Sequence, residues 1–171
     1  LMNGRKMSKS DGNTISPYQL FSGDSPHVSK GYSPMSVKFF MLQSHYRSTL
    51  DLTDDALLAA EKGYKRLMEA NRTLQTLSGA TATTETDLDK EIVKLIQRVH
   101  EEMSDDFNTP KALAVLFELV TKVNSLKAGH LKMSELSAQT FEQLKTVFHD
   151  FIFNIMALTD ENSSDGGNQD S

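Results

Sequence analysis

Cysteine is absent from the 171 residues, so neither a disulfide framework nor a thiolate metal site can form within this stretch. Long hydrophobic runs are missing too. The densest, FHDFIFNIMAL, is interrupted by His149, Asp150 and Asn154, well short of a membrane span, and there is no signal segment. Together these absences point to a soluble, cytoplasmic protein without a membrane partner. The five histidines (His27, His45, His100, His130 and His149) have no ligand-type spacing, and no alternating strand pattern of useful length follows residue 33. The glycine spacing of a P-loop is lacking as well. Sequons at Asn71 and Asn162 carry little weight without a secretory signal.

Charge is scarce in one sense and uneven in another. The formal net charge is -5, which argues against a general nucleic-acid binder, DNA included. Residues 1–47 nevertheless hold six basic side chains (Arg5, Lys6, Lys9, Lys30, Lys38 and Arg47) against Asp11 and Asp24. The remainder holds 12 basic against 21 acidic. A polyanion would be steered to the N-terminal part.

What is present is helical pattern. Residues 1–33 are punctuated by SDGN, SPY, SGDSP and KGYSP and read as loops. Ser33-Pro34 is a cap followed by proline at the first helical position, and MSVKFFMLQSHYR continues it. Thr53 caps the next helix, with Asp54 and Asp55 at its positive end and Leu57, Tyr64, Leu67, Leu74 and Leu77 near one stripe. SGATATTETD lacks periodicity and is an exposed connector. In DLDKEIVKLIQRVHEEM, Ile92, Leu95, Ile96, Val99 and Met103 recur at helical steps. Thr109-Pro110 repeats the cap-plus-proline start, with Leu113, Leu116, Val120 and Val123 inward and Gly129 as the stop. A last helix over 138–158 aligns Phe141, Leu144, Phe148, Phe151 and Ile155. The fold expected is all-α: an antiparallel bundle of about four long helices after a loop-rich segment, ending in a disordered polar tail over 161–171.

The opening LMNGRKMSKSDGN is the stretch with chemistry in it. Two lysines and two serines beside Gly12 and Asn13 form a loop whose ammonium and hydroxyl groups can converge on phosphate oxygens, or else a solvated basic turn. KMSKSDGN resembles the signature loop of class I aminoacyl-tRNA synthetases. FFMLQSHYRSTLDLTDDAL and DDFNTPKALAVLFELVTKVN are similar to the corresponding segments of cysteinyl-tRNA synthetases, in the same order, over roughly residues 3–158.

The resemblance implies an ATP-dependent ligase of protein biosynthesis that makes cysteinyl-adenylate and transfers cysteine to tRNA(Cys). It places Lys6 and Lys9 on the ATP phosphates as catalytic loop lysines, Lys9 the more directly, with Met7, Ser8 and Ser10 completing the loop. It implies three regions: the loop and stem-contact segment (1–50), a DALR-like, tRNA-docking helical bundle (51–160) and the tail (161–171). His45, Tyr46 and Arg47 are candidate tRNA contacts, or residues that merely satisfy last-turn carbonyls. Asp105 and Asp106 read as a solvated capping turn rather than a metal site. The family's nucleotide-binding domain, its histidine-containing ATP signature and its zinc ion have no counterpart here. Leu1 in place of methionine accordingly suggests a piece of a longer enzyme, inactive alone, which supplies the loop and the bundle. The family resemblance implies a monomer. Two other readings stand beside it: a non-catalytic helical module binding RNA or protein, and a synthetase-like ligase joining cysteine to a small amine acceptor.

Overall fold

The computed structural model describes residues 31–44, 53–104 and 108–162. Among these every regular element is a helix: α1 (Pro34–Gln43), α2 (Asp54–Thr76), α3 (Asp87–Ser104), α4 (Thr109–Ala128), a 3-10 turn (Met133–Glu135), and α5 (Ala138–His149), which runs into a π-helical turn (Asp150–Ile155). None is long and apolar enough to cross a membrane. The chain divides into two compact units, Leu1–Lys65 with Glu161–Ser171 and Arg66–Asp160, the division falling within α2.

In the first unit, α1 starts as its sequence dictates. The Ser33 Oγ accepts the Ser36 amide at 3.2 Å, and Pro34 takes the first helical position, where no amide is needed. Thr53 Oγ1 likewise accepts the Ala56 amide at 3.1 Å to open α2. Tyr32, Val37, Phe39, Phe40, Leu57, Ala60 and Tyr64 are buried. The Tyr32 hydroxyl donates to the Asp54 carboxylate, so a residue before α1 holds the first turn of α2. The Tyr64 hydroxyl accepts the Glu161 amide at 3.2 Å.

The second unit is the larger part of the bundle. Its core takes Leu67, Met68 and Leu74 from α2, Ile92, Leu95, Ile96 and Val99 from α3, and Leu113, Leu116, Leu119, Val120 and Val123 from α4. Phe141, Leu144, Val147 and Phe148 complete it from α5. Cross-helix pairs give the directions. Glu91 and Arg98 of α3 meet Lys122 and Glu118 of α4, so rising numbers on one helix face falling numbers on the other, as in an antiparallel pair. From α2, Arg66 lies over the Phe117 ring at 5.6 Å and Glu69 faces Lys127 at 4.0 Å, so α2 and α4 run in the same sense. This up-and-down order is the bundle that short connections impose.

Three local expectations differ in detail. The α4 cap is Asn108, whose Oδ1 accepts the Lys111 amide at 3.2 Å, so Thr109 and Pro110 are the first two helical residues. Leu77 lies just past the end of α2. Ile155 is 51% exposed rather than inward, while Met156 is 3% exposed. The cause is the π turn, which adds one residue per turn and moves the apolar stripe from position 155 to 156. Gly129 does end α4, left-handed at φ 83°, with the His130 amide reaching the Ser125 carbonyl at 3.0 Å.

Two residues past the π turn stands Ala157, a non-glycine residue at φ 53°. There the Leu158 amide donates to the Ile152 carbonyl at 2.9 Å, and Leu158 is buried. A Cβ in this region is strained, so Ala157→Gly is expected to stabilise the unit by about 0.5–1 kcal/mol in urea unfolding. Destabilisation by the glycine would show that the strain is not there.

Candidate nucleic-acid interface

The apolar stripe of α3 faces the core, which leaves its opposite side to water. On that side Lys90, Lys94 and Arg98 are exposed at four-residue intervals, about 6 Å of helix rise per step. Lys90 and Lys94 make no ion pair among the described residues, and Arg98 meets Glu118 at 3.1 Å. Lys111, exposed near the start of α4, shares a hollow of about 280 Å³ with Arg98, Glu102 and Glu118. Arg98 and Lys111 therefore share one side of the α3–α4 pair, with carboxylates interspersed, and Lys90 and Lys94 extend the exposed cations along α3. Such a surface engages phosphates one at a time; it has no enclosed anion cradle.

The helix that presents this stripe is fixed at its N-terminus by a buried carboxylate. Asp89, 4% exposed, accepts the Ser137 amide at 2.9 Å, and its own amide donates to Thr86 Oγ1 at 3.1 Å. Thr86 in turn donates its hydroxyl to the Glu135 carbonyl. Ser137 is the cap of α5, accepting the Thr140 amide at 3.2 Å. The Ala82 amide donates to the Leu136 carbonyl at 3.1 Å. The exposed connector is thus laced to the turn before α5, and the starts of α3 and α5 are held together. Asp89→Ala leaves the Ser137 amide without its acceptor and is expected to cost about 1–3 kcal/mol of unfolding free energy. A loss under about 0.5 kcal/mol would show that water or a neighbour replaces the carboxylate.

The residues read as catalytic or ATP-binding from the sequence, Lys6, Met7, Ser8, Lys9 and Ser10, lie outside the described residues. So do the tRNA candidates His45, Tyr46 and Arg47, and Asp105 and Asp106. Among the described residues no group of three or more His, Asp or Glu side chains could hold a metal ion. The lysine stripe and Asp89 are functional features that the sequence reading above does not mark. Their available signals were the four-residue spacing of Lys90, Lys94 and Arg98, and the Thr86-x-x-Asp89 pattern of a capped helix start.

Comparison with known proteins places this geometry. Residues 98–158, from the end of α3 through α4 and α5, match the DALR domain family. Cysteine–tRNA ligase from Parabacteroides distasonis is 43% identical over 166 residues, 96% of this chain and 32% of that protein. The enzyme of the same name from Cytophaga hutchinsonii is 41% identical over 162 residues, 94% of this chain and 33% of that protein. That from Deinococcus radiodurans is 34% identical over 163 residues, 94% of this chain and 30% of that protein. The resemblance to cysteinyl-tRNA synthetases read from the sequence is borne out, as is the all-α fold. The chain spans about a third of the length of the curated relatives it matches.

Proposed function

We propose that the chain is part of a cysteine–tRNA ligase, to which it contributes the lysine loop and a tRNA-docking helical bundle. The observation carrying this reading is the similarity to cysteine–tRNA ligases over 94–96% of the chain, with a match to the DALR domain family in its second half. That similarity favours tRNA over a small amine as acceptor and favours a ligase over a non-catalytic module.

In this reading residues 1–50 close the ATP site, 51–160 dock tRNA and 161–171 are a tail. The cysteine carboxylate attacks the α-phosphorus of ATP, and pyrophosphate leaves with its magnesium. Charge develops on the phosphate oxygens as the five-coordinate transition state forms. Lys9 meets that charge directly and Lys6 supports it, while Met7, Ser8 and Ser10 set the loop's shape. A terminal ribose hydroxyl of tRNA(Cys) then attacks the adenylate carbonyl and AMP departs. The zinc that holds the cysteine thiolate belongs to a domain outside this sequence. The enzyme acts in the cytoplasm as a monomer.

The α3–α4 cations supply backbone contacts to the tRNA, with His45, Tyr46 and Arg47 as further contacts. Because 21 of the 23 carboxylates lie beyond residue 47, affinity of the 171-residue chain alone is weak and electrostatic. Its Kd for a tRNA(Cys) transcript is expected at about 10⁻⁴–10⁻⁶ M at physiological salt, rising steeply as salt rises. The double substitution Lys90→Glu, Lys94→Glu should flatten the log–log salt slope by about 1–2 in fluorescence anisotropy titrations. A slope unchanged by the pair would remove this face from the interface.

A further inference from the structure

We draw no further inference here: the strongest candidate, the open cleft between α3 and α5 floored by Val93, Ile96 and Val147, is an apolar surface with nothing in the structure to show what covers it.

Discussion

Lys9→Ala, introduced into the full-length ligase, is expected to lower cysteine-dependent ATP–pyrophosphate exchange by about 10²–10³-fold, the size of effect seen when one preorganised donor to a developing oxyanion is removed. The loss should fall mainly on kcat, with the KM for ATP changed little. A lysine that engages the phosphate oxygens only as charge develops binds the transition state and not the ground state. Lys6→Ala should reduce exchange less if Lys9 is, as proposed, the more direct contact. Transfer from preformed adenylate should be nearly unaffected by either change, since pyrophosphate has already left. Exchange within about threefold of wild type in Lys9→Ala would remove the loop from the chemistry.

Phe148→Ala carries the largest effect expected on the fold. Phe148 is fully buried and projects from α5 into the bundle core. Truncating such a ring removes its burial and leaves a cavity that the surrounding Leu, Val and Phe side chains fill only in part. About 3–5 kcal/mol of unfolding free energy should be lost, a large share of what a domain of this size possesses. Urea unfolding followed by far-ultraviolet circular dichroism measures it, with the slope expected to hold and the midpoint to fall. Phe148→Leu, which keeps most of the volume, should recover much of the loss. A Phe148→Ala midpoint close to wild type would mean that α5 does not stabilise the bundle in the way its burial indicates.

Most of this architecture was legible because its signals are local. Ser33-Pro34, Thr53 and Gly129 act through bonds to residues three to four positions away, so at these three positions the cap read from sequence is the cap found in the structure, whereas at the start of α4 it is Asn108 rather than Thr109. The stripes of α3 and α4 follow from a 3.6-residue period that any buried face must keep. What escaped depends on partners distant in sequence or on a change of period. Asp89 reads as an ordinary first-turn acid until Ser137, 48 residues on, brings its amide to it. The π turn is invisible to a search at fixed helical period, which is why Ile155 was placed inward and Met156 was not.

The functional site divides in the same way. KMSKS was legible as a motif, because the order of a few residues carries the resemblance, and its placement lies outside the described residues. Lys90, Lys94 and Arg98 were spaced for one face, but that pattern alone does not differ from any solvated helix side.

In the function proposed, this lysine loop works with an ATP site in its own polypeptide. Sequencing the source gene upstream of the codon for Leu1 tests it most directly. A reading frame that continues into a nucleotide-binding domain, with a histidine-containing ATP signature and Cys and His zinc ligands, is the result expected. A frame that begins at Met2 would contradict it, leaving the loop without a catalytic partner and the bundle as a stand-alone binding module.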